Sequence, residues 1–184
     1  MGSYITTYTH RHFDPTDPDP ELILIEDIAH ALSMLCRGNG HVSSFWSVGE
    51  HCICCAKEVA GRGLSQKVIL ACLLHDASEC YMSDVPRPLK QNMKDYKQQE
   101  SSLLDVIYRK FLGEALTEEE KKQIKAIDDD LLWYDLEMLL GEKQDREKPE
   151  LHIRLDYKVR PFDMVEREYL DFFRELSSEL ESKV

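Results

Sequence analysis

Apolar residues recur every three or four positions through most of this chain, and this spacing places them on one face of an α-helix. In the first such segment the repeat is formed by Ile25, Ile28, Ala29, Leu32 and Leu35. Prolines and glycines interrupt the pattern at intervals, because neither continues a helix well. We therefore predict six helices, over residues 21–36, 44–60, 65–81, 95–112, 118–140 and 161–180.

Two segments near the ends of the chain favour β-structure. Residues 151–159, LHIRLDYKV, alternate apolar and polar side chains, which is typical of a strand. Residues 3–9, SYITTYT, are rich in residues that favour strands. Because a lone strand is unstable, we expect the two segments to pair. The predicted fold is all-α in class: a single domain over residues 1–184, with about six helices and a small two-stranded β ribbon joining the termini.

Charge and hydropathy limit the classes of protein to which this chain can belong. The formal net charge is −12, and such a surface repels nucleic-acid backbones and anionic membranes. No apolar stretch approaches the roughly 20 residues that cross a bilayer. Residues 1–12 lack the apolar core of a secretory signal. We therefore expect a cytoplasmic protein that binds neither a nucleic-acid polymer nor a membrane.

The cysteines are expected to be reduced and to pack as small apolar side chains. The stretch CICC, residues 52–55, raises the alternative of a zinc site. However, the chain has no second C-x-x-C pair that would complete a tetrahedral site. The six cysteines are Cys36, Cys52, Cys54, Cys55, Cys72 and Cys80.

The segment LLHDASEC places His75 and Asp76 directly after an apolar run. Imidazole nitrogen and carboxylate oxygen are both ligands of divalent metals. His51, in SVGEHCICCA, and Asp128, in QIKAIDDDLLWYDLEMLL, also lie beside apolar residues. A polar group on an apolar face costs free energy unless it is paired or binds a metal. These four side chains are therefore candidates for one metal site.

The order His51, then His75 and Asp76, then Asp128 is the H…HD…D order of the HD-domain phosphohydrolases, and the chain resembles that superfamily. The resemblance covers most of the chain and rests on DIAHALSMLCRGNGH, FWSVGEHC, LLHDASEC, SDVPRPLK and IKAID. The last stretch selects Asp128 from a run of three aspartates. The resemblance implies a helical bundle that holds one divalent ion through these four side chains. Two His and two Asp suit Mn²⁺, Co²⁺, Fe²⁺, Ni²⁺ or Zn²⁺, and Mg²⁺ less naturally.

The same resemblance implies roles for further residues. Glu79, about one helical turn after the ligands, is placed to orient or deprotonate a water molecule. Asp84 matches an acidic residue that lies near the substrate and the water in relatives, which implies that it takes part in proton transfer with Glu79. A guanidinium at the implied pocket suits a phosphate. The residues implied to contact the substrate are Arg37, Asn39, His41 and Lys90.

Members of the superfamily include bacterial 5′-deoxynucleotidases and a phage dATP triphosphohydrolase. The resemblance therefore implies a metal-dependent phosphohydrolase that cleaves an ester or anhydride bond of a (deoxy)nucleotide, as a 5′-nucleotidase or as a dNTP triphosphohydrolase. It also implies a small-molecule nucleotide substrate and a homo-oligomer. Two alternatives stay open: an HD phosphodiesterase that acts on a signalling nucleotide, and a metal- or nucleotide-binding protein without turnover. The presence of Glu79 and Asp84 favours an enzyme over the second alternative.

Overall fold

A computed structural model describes residues 4–181, which form a bundle of helices with one short β-hairpin. The helices of these residues are α1 (Ile25–Met34), α2 (Val48–Gly61), α3 (Gln66–Leu73), α4 (Glu79–Met82), α5 (Arg87–Lys90), α6 (Lys94–Leu112), α7 (Glu118–Leu140) and α8 (Phe162–Glu181). Helices α4 and α5 are single turns, and the other six are longer. The prediction of a mostly α fold with about six helices is confirmed.

Side-chain caps fix where three of the helices begin. Ser47 and Glu50 form a capping box at the start of α2. Thr117 and Glu120 form a second capping box, at the start of α7. The side chain of Ser65 accepts a backbone hydrogen bond at the start of α3. The starts are therefore well defined for α2 and α7, which carry His51 and Asp128, and for α3, which precedes His75 and Asp76.

Helices α1 and α2 each begin four residues later than the sequence pattern indicates. A 3₁₀ turn, Pro20–Leu22, precedes α1, and the Asp19 side chain caps it. Before α2, Cys36 and Ser47 form an isolated antiparallel bridge, and the backbone N–H of Arg37 donates to the carbonyl of Trp46 at 2.8 Å. This contact holds the turn that contains Arg37 against the start of α2.

Helix α2 lies at the centre of the bundle, where it packs against α1, α3, α7 and α8. Gly49 allows α1 to approach closely, since a Cβ there would lie 3.2 Å from the carbonyl carbon of Leu32. Burial of each large apolar side chain contributes roughly 1.5–3 kcal/mol. The largest fully buried side chains include Tyr169, Phe13, Ile53, Leu70, Leu73, Leu103, Ile107 and Ile127. None of the described helices is both long and apolar enough to cross a membrane.

The predicted third helix is interrupted at the residues that matter most for the site. Helix α3 ends at Leu73, and residues 74–78 form turns before α4. The imidazole Nδ1 of His75 lies 2.6 Å from the carbonyl oxygen of Cys72, so the side chain competes for a backbone acceptor. The backbone N–H of Ala77 donates to the carbonyl of Leu74, three residues back. Because the helix tightens and ends here, the adjacent side chains of His75 and Asp76 are no longer held about 100° apart, as they would be in a regular helix.

The predicted pairing of the two ends of the chain is wrong. The two-stranded sheet is instead an N-terminal hairpin, in which β1 (Ile5–Thr6) pairs antiparallel with β2 (His12–Phe13). Residues 151–159 form no strand, and residues 152 and 153 are bends. Their alternating pattern reflects alternating exposure, because one side of this segment faces the bundle. The backbone N–H groups of His152 and Ile153 donate to the side chain of Glu58 on α2. We call residues 150–160 the C-terminal strap.

Candidate metal centre

Four side chains from three parts of the bundle converge in its interior. His51 lies on α2, His75 and Asp76 lie in the turn after α3, and Asp128 lies on α7. His51 Nε2 is 3.2 Å from Asp128 Oδ1, and His75 Nε2 is 3.8 Å from the same oxygen. His75 Nε2 is also 3.4 Å from Asp76 Oδ2. The structure thus brings together the four residues that the sequence predicts as metal ligands, and we call them the HD cluster.

Each imidazole is oriented by a partner on the side away from the cluster. His51 Nδ1 lies 3.0 Å from Asp135 Oδ2, and His75 Nδ1 lies 2.6 Å from the Cys72 carbonyl oxygen. Because these oxygens accept, each Nδ1 donates its hydrogen and each Nε2 faces the cluster. His75 Nε2 is buried and has no hydrogen-bond partner among the described residues. Metal-binding histidines are oriented in this way, so the residues present fit a divalent ion.

The electrostatics of the HD cluster favour positive charge. Burial alone raises the pKa of Asp128, but the hydrogen bond to His51 and the charges of His75 and His51 outweigh burial and hold this pKa well below its usual range. Burial alone lowers the pKa of each histidine, but neighbouring acidic groups, Asp128 among them, raise both pKa values well above the usual range. The cluster therefore attracts a cation, either as protons on the rings or as a metal ion between them.

Arg37 is largely buried beside the cluster. Its Nη2 donates to Asp135 Oδ2 at 3.2 Å, and its Nη1 lies 3.6 Å from Asp76 Oδ2. Burial alone lowers the pKa of the guanidinium, but Asp135 and Asp76 more than offset it and raise this pKa above its ordinary value. Arg37 therefore stays charged and holds two carboxylates of the site in place.

Glu79, the first residue of α4, is a buried carboxyl close to the cluster. Burial, followed by the charges of Asp76 and Asp84, raises the pKa of Glu79 well above its usual range. Lys90 Nζ lies 3.8 Å from Glu79 Oε1 and 2.6 Å from Glu100 Oε1. Glu79 Oε2 is buried without a hydrogen-bond partner among the described residues. A carboxyl in such a position can act as a general acid or base toward a group placed beside it.

A cavity of about 310 Å³ lies beside the HD cluster. His75, Asp76 and Asp128 line one side of it. The rest of its wall comes from α6, α7 and the segment between them, through Ser101, Leu104, Asp105, Tyr108, Leu116, Lys121, Ile124 and Lys125. Its size and its mixture of apolar and polar lining are typical of a small-molecule site.

The four residues that are predicted to contact the substrate do not line this cavity. Asn39 and His41 are exposed, at and just after the turn that contains Arg37, and neither lines this cavity. Arg37 and Lys90 are near the cluster but are also absent from the cavity wall. Asp84 is half-buried, and its charge acts on Glu79 and Arg37. Roles in substrate binding and proton transfer stay predictions for all of them.

A family model of the HD domain matches residues 41–156, which is more than half of the chain. The chain belongs to the HD-domain superfamily of metal-dependent phosphohydrolases. The matched region contains His51, His75, Asp76 and Asp128.

Two relatives extend the comparison. The chain is 38% identical to the uncharacterized protein YfdR of Escherichia coli over 109 residues, which cover 59% of this chain and 58% of YfdR. It is 36% identical to an uncharacterized protein of Rhodobacter capsulatus over 125 residues, which cover 64% of this chain and 63% of the relative. The match thus spans about three fifths of the length of each relative, and neither relative's name specifies a substrate.

Two residues of this HD domain support the cluster but are not among those that the sequence predicts. Asp135 accepts hydrogen bonds from His51 Nδ1, from Arg37 Nη2 and, at 2.9 Å, from the hydroxyl of Tyr157. Asp135 lies seven residues after Asp128, which is two turns along the same face of α7. This spacing could have identified Asp135 as a residue near the candidate ligands. Tyr157 reaches the site from the C-terminal strap, and no local pattern indicates this.

The two cavity lysines also follow a helical pattern. Lys121 and Lys125 precede Asp128 by seven and three residues, which places all three on one face of α7. Lys125 Nζ lies 3.7 Å from Asp128 Oδ2. This spacing identifies lysines near the predicted ligand, but only the packing of α6 against this end of the bundle makes them part of a cavity.

All six cysteines are free, as predicted, but they do not all serve as core side chains. Cys36, Cys54 and Cys80 are only partly buried. Cys52 and Cys55 are fully buried at the HD cluster. The potential ligand atoms of His51, Cys55 and His75 lie within 4.8 Å of one another, as do those of Cys52, His75 and Asp76. Two thiols therefore border the candidate metal centre.

Proposed function

We propose that this HD domain hydrolyses nucleoside 5′-monophosphates, with one divalent ion held by His51, His75, Asp76 and Asp128. The observation that carries the proposal is the cavity of about 310 Å³, which has three of these ligands on one side and two lysines in the remaining wall. A phosphate in this cavity would lie between the ion and the lysines. The choice of deoxynucleotides over ribonucleotides rests on the resemblance to deoxynucleotidases.

Charge favours a monophosphate over a triphosphate. The cavity wall offers Lys121 and Lys125 as cations and includes the carboxylate of Asp105 in addition to the candidate ligands. A monophosphate carries about two negative charges near neutral pH, fewer than a triphosphate chain, so it needs fewer cations in the cavity wall. A triphosphate chain needs more cations than this wall provides, because unpaired charge in a cavity is costly.

The side chains of this protein have separate tasks in such a reaction. The two lysines bind the phosphate, while Tyr108, Leu104 and Ile124 offer an apolar surface to the sugar and base. Glu79, a buried carboxyl beside the cluster, is placed to exchange a proton with the attacking water or the leaving oxygen. A divalent ion, when bound, supplies positive charge that polarises a phosphoryl oxygen. His51 and His75 keep their orientation through Asp135 and the Cys72 carbonyl.

The proposal is tested with a panel of nucleotides and each of Mn²⁺, Co²⁺ and Mg²⁺. Deoxynucleoside monophosphates, the corresponding ribonucleotides, deoxynucleoside triphosphates and cyclic dinucleotides are incubated with the protein, and released phosphate, pyrophosphate or triphosphate is quantified. We expect orthophosphate from monophosphates and loss of activity in His75→Ala. Turnover restricted to triphosphates or cyclic dinucleotides would contradict the proposed substrate, and binding without any turnover would favour a non-catalytic protein.

The cavity is tested with a matched pair of lysine variants. Lys121→Ala removes a cation from the cavity wall, whereas Lys122→Ala removes the neighbouring exposed lysine, which does not line the cavity. We expect Lys121→Ala to raise KM for monophosphates about tenfold, as the loss of one charge-assisted hydrogen bond predicts. Lys122→Ala should leave KM unchanged. Equal effects of the two variants would place the phosphate elsewhere.

A further inference from the structure

Cys55 borders the HD cluster beside His51 and His75. It lies four residues after His51 on α2, so both side chains project from the same face of the helix. The Cys55 side chain is fully buried, and its Sγ is 3.4 Å from His51 Nε2, the nitrogen that faces the HD cluster. Its Sγ and the ring nitrogens of His51 and His75 form one compact group.

The separation of these atoms matches what one ion requires. Imidazole nitrogen binds Zn²⁺ at about 2.1 Å and thiolate sulfur at about 2.3 Å, so the angles of roughly 90–120° in a five-coordinate site place the two atoms about 3.1–3.8 Å apart. The observed distance from Cys55 Sγ to His51 Nε2 is 3.4 Å. Asp128 Oδ1, at 3.2 Å from the same nitrogen, lies at a similar separation. Cys55 and Asp128 are therefore equally well placed to share an ion with His51.

We propose that Cys55 binds the ion as a thiolate, in addition to the four ligands named above. This inference rests on the proposed metal site and adds a sulfur donor to it. On binding, the S–H bond of Cys55 breaks, its proton leaves to solvent and the sulfur lone pair binds the ion. Thiolate favours Zn²⁺, Co²⁺ and Fe²⁺ over Mg²⁺ and Mn²⁺. The site is therefore selective for the thiophilic metals.

The test uses Co²⁺, because a thiolate bound to Co²⁺ gives a sulfur-to-metal charge-transfer absorption in the near ultraviolet. The full chain is stripped of metal, kept reduced with a phosphine and titrated with Co²⁺ while absorption and heat are recorded. Four single variants are compared with it: Cys55→Ala, Cys55→Ser, Cys52→Ala and Cys54→Ala. Cys54 is the matched control, since it lies next to Cys55 on α2 but borders a different cavity. Circular dichroism verifies that each variant is folded.

We expect the charge-transfer band in the native chain and in Cys54→Ala, and its loss in both Cys55 variants. The Cys55 variants should still bind Co²⁺ by calorimetry, with affinity reduced roughly 10- to 100-fold, and should release about one proton fewer per ion. Calorimetric binding without the band in the native chain would overturn the role of Cys55 and leave the metal site intact. The absence of Co²⁺ binding altogether would instead overturn the proposed function. Loss of the band only in Cys52→Ala would also overturn the proposal, because the other thiol of the cluster would be the ligand.

Discussion

Replacement of Glu79 should slow the chemical step without changing the affinity for the ion. Its carboxyl is buried close to the HD cluster but is not one of the four candidate ligands. We expect Glu79→Gln to lower kcat for monophosphate hydrolysis about 10²- to 10⁴-fold, the usual contribution of a general acid or base. Co²⁺ affinity, measured by calorimetry, should stay at the native value. An unchanged kcat would remove Glu79 from the mechanism.

Asp135 is a positioning residue, because it acts on the ion only through His51. Asp135→Asn replaces the carboxylate that accepts from His51 Nδ1 and Arg37 Nη2 by a neutral amide. We expect Co²⁺ affinity to fall roughly 10- to 100-fold, which is typical of partners that orient a metal-binding histidine. Tyr157→Phe removes one hydrogen bond to Asp135 and keeps the charge, so its effect should be smaller. Native affinity in Asp135→Asn would contradict this role.

The candidate ligands could be predicted from the sequence because they interrupt apolar runs in a recognisable order. A histidine or aspartate amid buried residues carries its own signal, since it needs a partner. Tyr108 and Lys121 carry no such signal, because a tyrosine or lysine on a helix face is ordinary. Their role as cavity residues depends on how α6 and α7 pack, which the sequence pattern does not specify.

Among the structural elements, the C-terminal strap depends on one buried carboxylate. Glu58 on α2 accepts hydrogen bonds from the backbone N–H groups of His152 and Ile153, at 2.8 and 3.1 Å, and from Arg62 Nε at 2.8 Å. Glu58→Gln weakens these contacts and leaves Arg62 with Asp130 as its charged partner, at 2.9 Å. We expect the free energy of unfolding to fall by roughly 1–2 kcal/mol, because hydrogen bonds to a buried charged acceptor are weakened. Urea denaturation at pH 7 measures this loss.

The contribution of Glu58 should depend on pH. Burial alone raises its pKa, but hydrogen bonds from Arg62 and His152 outweigh burial and lower this pKa below the ordinary value of 4.5. A carboxyl whose pKa is lower in the folded state stabilises the fold above the unfolded-state pKa and loses this effect as pH falls through the folded-state pKa. The difference between the native chain and Glu58→Gln should therefore shrink below about pH 4.5. A constant difference from pH 7 to pH 3 would contradict this account.

The strap also shows why the predicted ribbon was wrong. An alternating pattern establishes that one side of an extended segment is covered, but not by what. Residues 151–159 pack against helices, and Glu58 on α2 accepts the backbone hydrogen bond of His152 that a partner strand would otherwise accept. The break after α3 was missed for a related reason. The apolar spacing continues through Leu74 and Ala77, both fully buried, although the backbone is no longer helical.

For the molecule as a whole, a bound ion should act as a tertiary crosslink, since its candidate ligands come from α2, the turn after α3, and α7. A ligand present at 100 times its Kd stabilises the folded state by about 2.7 kcal/mol. For a chain of this length, that corresponds to a rise in Tm of roughly 5–10 °C. We expect this rise when Co²⁺ is added to metal-free protein, with reversal by a chelator. His75→Ala should show little or no rise, and an equal rise in this variant would place the ion outside the cluster.

The fold class could be predicted because helical periodicity and breaks at Pro or Gly are local signals. The long helices of the structure lie in the segments that these signals indicate. Membership of the superfamily followed from residues spaced along the whole chain, and the match over residues 41–156 confirms it. The expected homo-oligomer has no such local signal and stays a prediction. The same holds for the substrate, which depends on the cavity that α6 and α7 enclose.

The central claim is that His51, His75, Asp76 and Asp128 hold one ion. An anomalous-difference map from crystals soaked in Mn²⁺ or Co²⁺ tests it most directly. The account predicts a single strong peak among these four side chains, within about 2.0–2.3 Å of the histidine Nε2 atoms and of a carboxylate oxygen from each aspartate. A map with no peak there, or with the ion bound at another site, would contradict it.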